Sequence, residues 1–194
     1  SIQAIFFWGL LMRKIFLDCG ANNGCSVRMF RGLYDKDEEY EVYSFEPNPV
    51  FDHWFDDLEV NLIQKAVWIR NEELTFFQIE NLRDGKESGA STLNEIKARG
   101  HRNVILHELK VDAIDFSEWI FENFDPEDEI ILKMDIEGSE YEVLHKMIDD
   151  GSIKFINKLY IEFHWQKVGL TKGDHNYLLE RLGDIEINEW DAIQ

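Results

Sequence analysis

From residue 14 onward the chain alternates short apolar runs with stretches of helical periodicity, and this alternation limits the fold more than any other feature. Strands that recur between helical segments are the signature of βαβ units around a mainly parallel sheet. The expected fold class is therefore α/β, Rossmann-like, with helices on both faces of the central sheet. Residues 15–17 form a first buried strand ending at Asp18, followed by a glycine-containing turn and a helix over 25–33. A second strand over 41–45 ends at Glu46, where Pro47-Asn48-Pro49 stops the ladder because proline cannot donate to it. The pattern then predicts a helix over 50–58 and strands over 62–68 and 74–79, which look like a hairpin appended to the core sheet. Polar residues 81–89 read as a loop, either an active-site lid or a plain surface connection. A short strand over 107–111 follows, then a helix over 116–124 capped by Asp115. Residues 130–134 form a strongly buried strand ending at Asp135, and 139–148 have helical spacing. A strand over 159–163, a helix over 176–182 and a strand over 185–190 complete the pattern.

The length, 194 residues, suits one domain. Residues 12–194 are read as that domain, and residues 1–11 as an N-terminal extension, because Met12 looks like a natural start. The apolar opening has roughly ten residues against the ~20 of a spanning helix, so no membrane span is expected. It lacks the basic n-region and small-residue cleavage site of a signal peptide. Cys19 and Cys25 form no multi-cysteine framework, which fits reduced packing residues and a cytoplasmic location. A formal charge of −19 repels phosphate backbones. That argues against a long DNA groove and opposes an RNA partner, although Arg99, Arg102 and Lys110 offer a local basic patch.

The chemistry concentrates at strand ends. Asp18, Gly20 and Gly24 form a D-x-G-x-x-x-G turn between a strand and a helix. Glycines let such a backbone turn sharply and approach a ligand, and the helix start offers free N–H groups to an anion. Glu46, ending the neighbouring strand, is placed to accept hydrogen bonds from both hydroxyls of an adenosine ribose. Position 22 is Asn and position 25 is Cys, so the full G-x-G-x-x-G spacing is absent and a dinucleotide pyrophosphate has a poorer seat. Adenosine attached to an amino acid fits better, which favours S-adenosylmethionine over a nicotinamide cofactor.

Asp18-Cys19-Gly20-Ala21-Asn22-Asn23-Gly24, Phe45-Glu46-Pro47-Asn48-Pro49 and Lys133-Met134-Asp135-Ile136-Glu137-Gly138-Ser139-Glu140 together resemble the FkbM family of methyltransferases. Ser91-Thr92-Leu93 and Glu162-Phe163-His164 resemble weaker positions of the same family. The resemblance implies a class I methyltransferase fold, S-adenosylmethionine as donor and a hydroxyl acceptor, often on a sugar or a glycosylated natural product. It implies that Asp18, Gly20, Asn22, Asn23, Gly24, Glu46, Pro47 and Asp135 bear on the cofactor. The chain departs from the pattern at its end. A class I sheet usually closes with an antiparallel hairpin, leaving a missing strand, the 62–79 segment or the N-terminal stretch to complete the edge.

Methyl transfer to oxygen needs the acceptor held in line and relieved of its proton. His164 is the first candidate for general base, since an imidazole takes a proton near neutral pH. Asp135 is the second, and it could instead bind the donor's amino group or the acceptor. Glu137, Glu162, Ser91 and Thr92 are candidates for the acceptor side; equally, Glu137 could shape a turn and Ser91 or Thr92 cap a helix. Asp135, Glu137, Glu162 and His164 offer the oxygen-rich set a hard divalent cation takes, and spacing alone leaves metal binding open. The aromatic residues Phe163, Trp165, Trp54 and Trp68 suit either a sugar face or the core. Two rival functions stand beside sugar-type O-methylation: 2′-hydroxyl methylation of RNA, for which Lys133 is the tempting lysine, and cofactor binding without turnover.

Overall fold

The computed structural model describes residues 12–86 and 89–190, so the reading of residues 1–11 as an extension lies outside the described residues. Strand β1 (Lys14–Cys19) carries Ile15, Phe16 and Leu17, all fully buried. A strand covered on both faces has no reason to alternate with polar residues, hence the continuous apolar run. Helix α1 (Cys25–Leu33) leaves the turn at Gly24, whose φ of 72° lies in the left-handed region. Its Phe30 stacks on Phe16 with ring centroids 3.9 Å apart, fixing α1 to one face of the sheet. Strand β2 (Glu41–Phe45) follows, then a 3-10 helix (Pro49–Phe55) where a helix over 50–58 is expected. Asn48 caps that helix by accepting from the Val50 amide.

The segment expected as one strand over 62–68 is two strands in two sheets. β3 (Asn61–Ile63) pairs with β2, and β4 (Ala66–Trp68) pairs elsewhere, the break falling at Gln64-Lys65. β5 (Glu72–Asn81) runs antiparallel to β6 (Val104–Asp115), with α2 (Glu95–Gly100) between them in sequence. The appended hairpin over 62–79 is thus corrected: β4 lies parallel to β6, and β5 pairs with β6 on its other side, in the order β4-β6-β5. β6 also extends beyond residues 107–111 at both ends.

α3 (Phe116–Asn123) begins where predicted, with the Asp115 side chain accepting from the Glu118 amide. Then come β7 (Glu129–Met134), α4 (Glu140–Asp150), β8 (Ile156–Ile161), α5 (Lys172–Leu182) and β9 (Glu186–Glu189). The central sheet has the order β3-β2-β1-β7-β8-β9, and every pairing in it is parallel. Phe16, Val27, Phe30 and Val42 form the core under α1; Ile15, Leu17, Ile130, Leu132, Leu144 and Leu178 belong to the larger core beneath α3, α4 and α5. Helices therefore cover both faces, as the sequence predicts. At the far edge β9 lies directly and in parallel beside β8, and the 62–79 segment contributes nothing there. The chain reverses direction across the sheet between β1 and β7, which leaves a crevice beyond their carboxyl ends, the position where open α/β sheets bind ligands. Among the described residues no helix is long and apolar enough to cross a membrane.

Candidate functional site

A cavity opens at that reversal point, where open α/β sheets bind ligands. Of the residues expected at a site, Gly20, Asn22, Glu46, Pro47, Ser91, Asp135 and Glu137 line it. Its apolar walls come from Phe45, Phe51, Phe76 and Leu93, of which only Phe45 and Leu93 fall within the motifs read from sequence. β5 and the loop before α2 thus roof the crevice that the central sheet floors.

The turn after β1 is built for close approach. Gly20 has a φ of 77°, and a Cβ there would sit 1.9 Å from the Asp135 carbonyl oxygen, so only glycine fits. The amides of Gly20 and Ala21 both donate to the Phe45 carbonyl, at 3.0 and 3.1 Å, tying the turn to the end of β2. Asp18 does not line the cavity. It is fully buried beneath the turn, accepts from the Ser26 hydroxyl and pairs with Lys133 at 3.2 Å. Lys133 also donates to the carbonyls of Cys19 and Gly20, at 3.2 and 2.7 Å. The lysine that suggested RNA chemistry thus holds the turn through these contacts, while its charge also acts on Glu46 and Asp135. Asn23 and Gly24 lie off the cavity too: the Asn23 side chain accepts from the Cys25 amide, and Gly24 starts α1.

Glu46 is only 6% exposed, and each carboxylate oxygen accepts one backbone amide, Asn22 N to Oε2 and Asn48 N to Oε1, both at 2.8 Å. Burial raises its pKa to about 7, against the two amide hydrogen bonds and the Lys133 charge, which lower it. A carboxylate oxygen has room for two hydrogen bonds, so both oxygens retain capacity for an incoming hydroxyl.

On the opposite wall Asp135 follows β7. Its Oδ1 is buried and lies 4.0 Å from Nε2 of His164, and the residue lines the cavity. Burial raises the Asp135 pKa, with Lys133 opposing and the Glu162 carboxylate reinforcing. His164, the first candidate for base, is 2% exposed and stands behind Asp135 rather than on the cavity wall. Its Nδ1 contacts Glu140 Oε1 at 3.0 Å; its Nε2 faces Glu137 Oε2 at 3.2 Å and Glu162 Oε1 at 3.3 Å. Glu137 has a φ of 58°, so it also shapes the turn, as one of its sequence readings had it. Thr92 is fully buried and donates its hydroxyl to the Glu137 carbonyl at 2.6 Å; Ser91 accepts from the Ile79 amide at 2.9 Å. Neither caps α2, whose N-cap is Asn94.

Sequence reasoning missed Lys97. This lysine of α2 is buried to 2% and forms an ion pair with Glu137. Burial and the nearby Lys167 lower its pKa to about 8, against the pull of Glu140, Asp135 and Glu162. A single lysine in a six-residue polar helix carries no periodic signal, and nothing short of the tertiary fold reveals its depth. Phe163 and Trp165 pack against His175, with centroids 4.8 and 5.7 Å away.

A glycine turn and a strand-end carboxylate on one side of the reversal point, facing an acidic loop on the other, define a Rossmann-like α/β protein of methyltransferase architecture. The family model described as the methyltransferase FkbM domain matches residues 18–186, and the chain belongs to that family. It is a methyltransferase. No curated protein and no solved structure matches the chain.

Proposed function

We propose that this protein transfers a methyl group from S-adenosylmethionine to a hydroxyl of a saccharide or another small hydroxylated acceptor. The observation that carries the reading is Glu46: a buried carboxylate at the cavity wall, fixed by two amides at 2.8 Å and still able to accept two more donors. A ribose presents two adjacent hydroxyls to such a group. The fit of the methionyl end rests on Gly20, where any side chain would collide with Asp135 and where bare backbone therefore faces the ligand.

S-adenosylmethionine, when bound, supplies an electrophilic sulfonium methyl, so the protein's task is positioning and proton removal. Gly20, Asn22, Glu46 and Pro47 hold the cofactor; Asp18, Asn23 and Gly24 keep the turn in shape. Ser91 and Glu137 border the acceptor, with Thr92 and Glu162 behind them. The Asp135 carboxylate takes the acceptor's proton as the oxygen–methyl bond forms, and His164, 4.0 Å from Oδ1, supports the charge change. A raised carboxyl pKa suits a base that must hold a proton briefly and release it to solvent.

Release of S-adenosylhomocysteine measured over a panel of mono- and oligosaccharides tests this reading. Turnover should depend on the acceptor and fall by about 10²–10⁴ in Asp135→Asn. Failure of the intact protein to bind S-adenosylmethionine would reject it, and binding without turnover on any acceptor would leave a cofactor-binding module instead.

A further inference from the structure

We propose that the cluster behind the acceptor wall, His164 with Asp135, Glu137 and Glu162, binds one hard divalent cation such as Mg2+ or Mn2+. Eight buried side-chain polar atoms among the described residues lack a well-aligned hydrogen bond, and five of them meet here: Lys97 Nζ and Glu137 Oε2, which form an ion pair with each other, and Asp135 Oδ1, Glu140 Oε2 and His164 Nε2. Buried polar groups are normally satisfied, so such a concentration points to an ion or water as the missing partner. Water supplies too little charge. Asp135, Glu137, Glu140 and Glu162 bring four carboxylates around one imidazole; against them stand the Lys97 ammonium on Glu137, the Lys133 charge acting on Asp135, and Lys167 near Lys97. Like charges this close in a buried site are costly without a counter-ion.

The geometry selects a cation over a random acidic patch. Glu140 Oε1 accepts from the amides of Ile136 and Gly138, at 3.2 and 3.1 Å, and the same oxygen meets His164 Nδ1. An oxygen held as an acceptor makes Nδ1 the N–H of the ring, and Nε2 then presents its lone pair to three carboxylates. This is the arrangement in which a carboxylate orients a metal-bound histidine from behind. An octahedral ion with ligands at about 2.1 Å separates adjacent ligand atoms by about 3.0 Å and opposite ones by about 4.2 Å. Nε2 lies 3.2 Å from Glu137, 3.3 Å from Glu162 and 4.0 Å from Asp135. The set whose ligand atoms all lie within 4.8 Å of one another is Asp135, Glu140 and His164, so Glu140 is a candidate ligand as well as the residue that orients the ring, and Glu137 and Glu162 join through their approach to Nε2. Three carboxylate oxygens and one imidazole nitrogen suit Mg2+ or Mn2+, with the remaining positions open to a hydroxyl oxygen from the cavity. That last role rests on the acceptor standing where the proposed function puts it; the binding of the ion does not. Lys97 is the resident competitor, since its ammonium already meets Glu137.

Mn2+ titration of the chelator-treated full chain, followed by electron paramagnetic resonance, tests this directly. One Mn2+ per chain is expected, with hyperfine coupling to an imidazole nitrogen. Glu140→Gln should weaken binding about 10–100-fold through the loosened imidazole. His164→Ala should abolish the nitrogen coupling, Glu162→Gln on the exposed side should weaken binding without threatening the fold, and Lys97→Met should tighten it. Glu46→Gln should bind Mn2+ like the parent chain, so a failure of cofactor binding and a failure of the metal site give different patterns. Absence of binding up to about 1 mM would overturn the proposal. Binding indifferent to both His164→Ala and Glu162→Gln would overturn it equally, since the ion would then sit on ordinary surface acids.

Discussion

Replacing Glu46 with Gln should weaken S-adenosylmethionine about a hundredfold at pH 8, and the deficit should shrink as the pH falls. In the proposed complex the carboxylate accepts two ribose hydroxyls while keeping the amides of Asn22 and Asn48. A hydrogen bond to a charged group contributes about 1.5–3 kcal/mol. Gln keeps one oxygen and turns an NH2 toward one of those amides, so at least one ribose bond is lost and the other is no longer charge-assisted. Taking the lower value for each bond gives about 3 kcal/mol, or about two orders of magnitude in Kd. The pH dependence follows from the Glu46 pKa of about 7, raised by burial. Above 7 the group is ionised and binds fully; below 7 it is protonated, one oxygen becomes a donor, and affinity should fall about tenfold per pH unit. The same raised pKa means that the fold gains stability from this group at low pH and loses it as the pH rises toward 7. Glu46→Gln has no such titration, so by pH 5.5 the two proteins should differ only a few-fold. Isothermal titration calorimetry at pH 5.5, 7 and 8 measures this, with a thermal melt as the folding control. A variant within threefold of the parent chain at pH 8, or a gap that does not change with pH, would refute the assignment of Glu46 to the ribose.

Gly20→Ala should cost more than about 4 kcal/mol and prevent soluble expression, because strain at positive φ adds to a collision with the Asp135 carbonyl. Gly151→Ala, at φ 87° but with open space around it, should cost only about 1–2 kcal/mol in a denaturant titration. Lys133→Met should destabilise by about 3–5 kcal/mol by stranding the buried Asp18, and adding Asp18→Asn should recover part of that loss; full additivity of the two changes would contradict the pairing. A thiol reagent should modify Cys25, which is exposed, within minutes in the folded protein. Cys19 should react only after unfolding, because burial holds its thiol pKa well above the usual value.

The sequence exposes the parts of this fold that are set locally. β1, α1, β2 and β7 are legible because each is a contiguous run bounded by its own turn chemistry, and α3 starts at Asp115 because one aspartate side chain satisfies its first amides. The split at Gln64-Lys65 was hidden, since apolar residues on either side look like one strand and nothing local states which sheet each half joins. The candidate site was legible where it is made of strand-end motifs: Gly20, Asn22, Glu46, Asp135 and Glu137 meet at one cavity. Order in depth was not legible. Whether Asp135 or His164 faces the cavity depends on how the residues after β7 and β8 pack, and the depth of Lys97 depends on α2 folding over them. Asp18 shows the same gap in reverse: a motif carboxylate that reads as a ligand from its spacing is a buried support for the turn.

The most direct measurement is a crystal structure with S-adenosylhomocysteine bound. The ribose should lie between the tips of β1 and β2 with both hydroxyls on Glu46, and the homocysteine sulfur should open toward Asp135. Adenosine density anywhere else, or side chains closing that crevice in the complex, would contradict the account.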